Sequence, residues 1–152
     1  MGGRGASKGI PGGWKQHEIT YKSENGMVIT EKGRIEYSET NKQEREKYKK
    51  EFEMCKDLAD YGHEVFQLDD RKLSDGSYDI LLDGRKADLK SLKGANNIVR
   101  EGKSTIQKQG ADLVVFKFEK ITPNVHAEIN KLSTKDIHGY YYETGKGALH
   151  KF

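Results

Sequence analysis

The pair Asp83-Gly84 constrains this chain more than any other two residues. It interrupts the stretch "YDILLDGRKADLKSLKG", Tyr78 to Gly94. Asp-Gly between two strand-forming runs signals a two-residue type I′ turn, whose backbone twist matches that of the strands it joins. A hairpin closed there sets Leu82 opposite Arg85, Leu81 opposite Lys86, Ile80 opposite Ala87 and Asp79 opposite Asp88. Side chains alternate between faces, so Lys90 shares the face of Asp88, while Ile80, Leu82, Ala87 and Leu89 form the face that belongs in a core. A three-residue loop with a bulge would instead set Asp79 against Leu89. Opposed side chains have Cβ atoms roughly 4.5–5.5 Å apart, a distance at which like charges destabilise a sheet. A divalent cation removes that cost, because magnesium binds carboxylate oxygens and keeps several waters for a substrate or nucleophile. A neighbouring lysine orients a water or bears the charge that develops on a phosphate. The competing reading makes Asp79 and Asp88 exposed strand charges neutralised by Lys86 and Lys90.

The rest of the chain supplies a frame for that hairpin. Residues 1–13, "MGGRGASKGIPGG", hold six glycines and a proline and read as a flexible leader. "WKQHEITYKSENGMVITEKGRIEY" reads as short strands, with a turn at Asn25-Gly26 and a weaker one at Lys32-Gly33. "SETNKQEREKYKKEFEMCKDLADYG" changes to helical periodicity, with Ser38, Thr40 or Asn41 as the cap and Gly62 as the residue that ends it. Its apolar stripe is Tyr48, Phe52, Cys55 and Ala59, widened by Leu58. His63 to Leu68 reads as a strand. A second helix follows the hairpin within "GANNIVREGKSTIQKQGA", with Ile98, Val99, Gly102, Ile106 and Gln109 on one face. Asp112 to Phe118 is an uninterrupted apolar run, as a central strand would be. A short helix after Pro123 and a closing hairpin around Gly145-Lys146-Gly147 complete the order. The expected fold is α/β to α+β: a mixed central β-sheet flanked by helices, in one domain over 14–152.

Composition narrows the function. Hydrophobic and charged residues each make up 34% of the 152, so the core is lean and the periphery solvated. The net charge is only +3, from 27 basic and 24 acidic side chains. That excludes a strongly basic coating protein but permits a nucleic-acid enzyme with a local basic patch. Cys55 is the one cysteine, so neither an internal disulfide nor a thiolate zinc cluster is available, and no disulfide-linked partner is expected. No apolar run is long enough to span a bilayer, no secretion signal is visible, and the reading is of action inside a cell, with no membrane partner.

The first helix offers a third acid. With Phe52 at the centre of the stripe and about 100° per residue, Glu51 lies at its border beside Leu58. Glu44 lies near the same line two turns earlier, and Glu53 falls on the solvent side. Candidate phosphate-binding residues are Lys86, Lys93 and Arg100, with Ser91 beside the acids and Gln109 on the inner face of the second helix. The tyrosines of "GYYYETGKG" would stack on unpaired bases or simply pack in a strand. The five histidines form no zinc pair.

Asp79 followed by Asp88-Leu89-Lys90 resembles the D…(D/E)-x-K signature of the PD-(D/E)xK nucleases, with Tyr78 where the customary proline stands. The wider stretch, Glu51 to Phe118, resembles the C-terminal nuclease domains of contact-dependent growth-inhibition toxins. In those domains a helix carries a glutamate seven residues before a Leu-Ala pair, then Gly, a strand, the hairpin, a helix and an apolar strand. The resemblance implies Glu51, Asp79, Asp88 and Lys90 as the active site, with Glu51, Asp79 and Asp88 holding Mg²⁺ or Mn²⁺. It further implies RNA, especially tRNA, as substrate, an immunity protein as partner, and delivery into the cytoplasm of a target cell within a larger secreted toxin. Two rivals stand beside it: a DNA endonuclease of the same superfamily serving a mobile element, and a nuclease-like module that docks nucleic acid without cutting it.

Overall fold

The computed structural model describes residues 16–152; the leader assigned to residues 1–13 lies outside them. The chain divides into two compact units, one of residues up to Lys72 together with Asp79–Arg85, the other of Leu73–Tyr78 and Lys86–Phe152. Each is a mixed sheet carrying helices, the α/β to α+β class expected.

In the first unit β1 (His17–Lys22) pairs antiparallel with β2 (Met27–Glu31), with a bulge between Ile19 and Tyr21. Helices α1 (Lys32–Ser38) and α2 (Lys42–Asp60) then lead to β3 (Glu64–Gln67), which runs parallel to β2. The short β4 (Ile80–Leu82) pairs antiparallel with β3. Asn41 caps α2, its side chain accepting from the Glu44 amide, and Gly62 at φ 105° follows the last turn.

The structure corrects two expectations in this unit. "KGRIEY" is not strand: α1 begins where the weaker turn is expected, and the residues it buries, Arg34 and Ser38, are one helical turn apart. Its buried face is polar, so no apolar periodicity announces it. The buried face of α2 is Met54, Cys55, Leu58 and Ala59, whereas Tyr48 and Phe52 are half-buried and stack on each other. The buried stripe therefore lies further round the helix than its aromatic residues suggest, and it includes Met54.

In the second unit β5 (Arg85–Leu92), α3 (Ile98–Gln107), β6 (Leu113–Phe118), α4 (Pro123–Thr134) and β7 (Gly139–Glu143) alternate, and β5, β6 and β7 run parallel in that order. The last strand, β8 (Lys146–Lys151), returns antiparallel to β7. Ile98, Val114, Phe116, Phe118, Val125, Ile129 and Leu132 form the core. β6 lies between two parallel neighbours and buries Leu113, Val114, Val115, Phe116 and Phe118, which explains its unbroken apolar run. α3 passes through Gly102, whose missing side chain admits Leu132 of α4. α3 ends before Gln109, so that residue is not on the helix as expected. Among the described residues no helix is long and apolar enough to cross a membrane.

Gly139 is where β7 meets β6 most closely. A Cβ there would stand 1.8 Å from the Val114 carbonyl oxygen. Because the obstacle is backbone, no rotamer change relieves it. Gly139→Ala is expected to destabilise the protein by roughly 3 kcal/mol, read as a lower urea midpoint at unchanged slope.

Candidate active site

The turn at Asp83-Gly84 has the backbone it requires: both residues take positive φ, at 50° and 86°. Asp83 tolerates that conformation because its carboxylate accepts from the Glu64 amide at 2.8 Å and meets His63 Nδ1 at 2.5 Å. Asp79 lies one residue before β4, and its carbonyl accepts from the Leu68 amide at 3.0 Å.

In the first unit Glu51 is held by two donors on one oxygen. Gln67 Nε2 donates to Glu51 Oε1 at 2.8 Å, and Arg34 Nε approaches the same atom at 3.4 Å. Gln67 is fully buried, and its own Oε1 accepts from Thr30 Oγ1 at 3.0 Å. Thr30 thereby gives away its single proton, so Thr20, 2.8 Å away, donates to Thr30. A relay from Thr20 through Thr30 and Gln67 thus reaches one oxygen of the carboxylate, Oε1. Burial raises the pKa of Glu51, against the opposing charge of Arg34 and the hydrogen bond from Gln67. The same pocket holds the Cys55 thiol, pushed well above its ordinary value by burial and then by the charges of Glu51 and Asp79. That thiol is a buried, inert hydrophobe. The reserve acid Glu44, its side chain only 15% exposed, sits 3.6 Å from the exposed Lys47 one turn along the helix.

In the second unit Asp88 is 1% exposed. The expectation that only the Ile80, Leu82, Ala87 and Leu89 face is buried is corrected: Ala87 and Asp88 are both buried, and Leu89 is half-buried. Neither oxygen of the Asp88 carboxylate has a hydrogen-bond partner among the described residues. Lys90 Nζ lies 3.0 Å from Asp88 Oδ2, close enough for charge compensation but off the angle of a hydrogen bond. The same ammonium is 3.5 Å from Glu101 Oε1, on α3. Glu101 is a site residue that sequence reasoning misses, as it does Arg34, Gln67 and Thr30. All four act through side-chain partners far away in sequence, which no local spacing reveals.

The weaker candidates separate. Lys86 is engaged by Asp75 at 2.7 Å and stands over the Tyr78 ring. Ser91 and Lys93 are exposed at the end of β5. Arg100 is exposed on α3, 3.4 Å from Glu101. Gln109 keeps its amide oxygen buried without a partner among the described residues.

The donor set suits a hard divalent cation. A buried carboxylate with both oxygens unsatisfied is costly unless something positive meets it. Among the described residues no three histidine, cysteine, aspartate or glutamate side chains are gathered as a ready metal cage. Magnesium needs none, since it is commonly held by one or two carboxylates with water and substrate phosphate completing its shell.

No family model matches the chain, and no curated protein matches it. The fold is similar to that of a chain in the CdiA-CT/CdiI toxin and immunity complex from Burkholderia pseudomallei. The TM-score is 0.53 at 18% sequence identity, over 75% of this chain and 91% of that one. At that identity the likeness is one of fold.

Both buried acids lend themselves to stability measurements. If Asp88 were merely half of a structural ion pair, removing it would cost about 3–5 kcal/mol. A carboxylate kept for a cation predicts the opposite: in metal-free buffer, Asp88→Asn should unfold at a urea midpoint equal to or above that of the parent. For Glu51, a raised folded pKa means that the native state holds a proton the unfolded chain has released. Stability in chelator should therefore fall as pH rises from about 4.5 through the raised folded value, and Glu51→Gln should flatten that fall. Denaturant titrations across that range check it.

Proposed function

We propose that this chain is a metal-dependent nuclease that cleaves RNA phosphodiester bonds, with tRNA as its substrate, and that it is the effector domain of a contact-dependent growth-inhibition toxin. The single observation that carries the reading is Asp88, whose buried carboxylate has no hydrogen bond among the described residues and has a lysine ammonium beside it. The likeness in fold to a chain of a toxin and immunity complex supports the toxin part. A cognate immunity protein would then be the partner, and the cytoplasm of a target cell the place of action.

Asp79 and Asp88 would hold Mg²⁺ or Mn²⁺, with Glu51 contributing Oε2 directly or through a water. A divalent cation bound by these residues supplies an activated water and neutralises charge on the phosphoryl oxygens. Lys90 orients the attacking water and helps the phosphate bear the charge it gains. Glu101 keeps that ammonium in place. Gln67 and Arg34 both engage one oxygen of Glu51, which would leave the other for the cation.

Purified protein incubated with total tRNA or plasmid DNA, in Mg²⁺, Mn²⁺ or EDTA, tests the reading. Loss of tRNA only with metal is the expected result, and Asp88→Ala or Lys90→Ala should each slow it by at least ~100-fold while remaining folded. Cleavage of plasmid alone would make the chain a DNA endonuclease instead. An Asp88→Ala protein that stays active in EDTA would sink the proposal.

A further inference from the structure

One face of α3 has no part in the core. Ile98, Gly102 and Thr105 face inward and are buried. Arg100, Lys103, Ser104, Gln107 and Lys108 recur at i, i+3, i+4, i+7 and i+8, the spacing that stacks side chains on one side of a helix. These five, with Val99 and Glu101, line an open groove of about 560 Å³. Three of them are cations. Lys103 and Lys108 are exposed and have no carboxylate partner among the described residues. The one acid in the groove is already occupied, since Glu101 lies 3.5 Å from Lys90 and 3.4 Å from Arg100.

We infer that this groove binds the phosphodiester backbone of a nucleic-acid strand and leads it to Lys90. The inference rests on the nuclease reading for what happens at Lys90, but the groove is outside that site and its chemistry stands by itself. Arg100 and the two lysines are spread over about 12 Å of helix, enough for successive phosphates of one strand. Ser104 and Gln107, between them, offer uncharged donors to phosphate or sugar oxygens and carry no base-specific geometry. Glu101 stands between Lys90 and Arg100, which sets Lys90 beside the groove and offsets part of both charges, leaving Lys103 and Lys108 as the principal phosphate contacts. An acidic protein surface is the rival occupant. The groove favours a strand because its cations are strung along the helix and its C-cap, Lys108, with the uncharged donors Ser104 and Gln107 between them.

The test is a fluorescence-anisotropy titration in EDTA, which stops metal-dependent cleavage. A labelled RNA 20-mer, the same sequence in DNA, and poly-glutamate of matched charge serve as probes. Lys103→Ser/Lys108→Ser, which lies outside the proposed catalytic set, should weaken RNA binding by about tenfold or more at 100 mM salt. It should also reduce the slope of log affinity against log salt by roughly 0.7 for each phosphate no longer neutralised. Lys103→Arg/Lys108→Arg should restore both. DNA binding that matches RNA shows that the groove reads the shared phosphodiester, whereas RNA preference adds the 2′-hydroxyl. Unchanged RNA affinity and salt slope in the serine variant would overturn the inference. So would poly-glutamate binding as tight as RNA and equally weakened, which would assign the groove to an acidic protein. If RNA binds as expected but no metal brings about cleavage, the nuclease reading fails and the groove survives.

Discussion

A carboxylate without hydrogen bonds in a protein interior is the constraint around which the second unit is arranged. Asp88 sits on β5, whose neighbour β6 is almost wholly apolar, and nothing but the Lys90 ammonium approaches its oxygens among the described residues. Burying a charge in that way is unfavourable unless a counter-charge comes with it. The lysine two residues along answers part of that need, and Glu101 in turn balances the lysine. Three ionisable groups from a strand and a helix thus hold one another in a state that is tolerable but not satisfied.

The first unit handles its own buried acid differently. Glu51 is oriented by a hydrogen-bond relay that begins at Thr20 on β1, crosses β2 at Thr30 and β3 at Gln67, and ends on one carboxylate oxygen. The first two steps use strand neighbours, because β1, β2 and β3 stand side by side, and the last passes from β3 to α2. The relay sets the Gln67 amide nitrogen towards the acid, where it engages Oε1 of Glu51. Relays of this kind define a rotamer more than they add stability.

Much of this is legible in the sequence, for a physical reason. Asp83-Gly84 encodes its own backbone, and α2, β3 and β6 carry either a cap or an apolar run that depends on nearby residues alone. The border position of Glu51 follows from helical spacing, and Glu51 is indeed largely buried there. What sequence does not show is whatever depends on distant partners. Helix α1 buries an arginine and a serine, so its amphipathicity is invisible to hydropathy. Gln67 reads as an ordinary polar residue in a strand until Thr30 and Glu51 are set beside it. The burial of Asp88 escapes the sequence because strict alternation assumes one wet face, whereas β5 is covered at Ala87 and Asp88 alike.

The division of the chain into interleaved units bears on how the protein is made. The first unit takes β4 from residues 79–85, yet residues 73–78, which precede it, belong to the second. During synthesis the first unit therefore lacks its last strand until Arg85 has cleared the ribosome, by which time part of the second is already outside. No single cut in the gene separates one unit from the other. A chain of this plan has to be inherited, exchanged and fused as one block, since neither unit has all its residues before synthesis has passed Arg85.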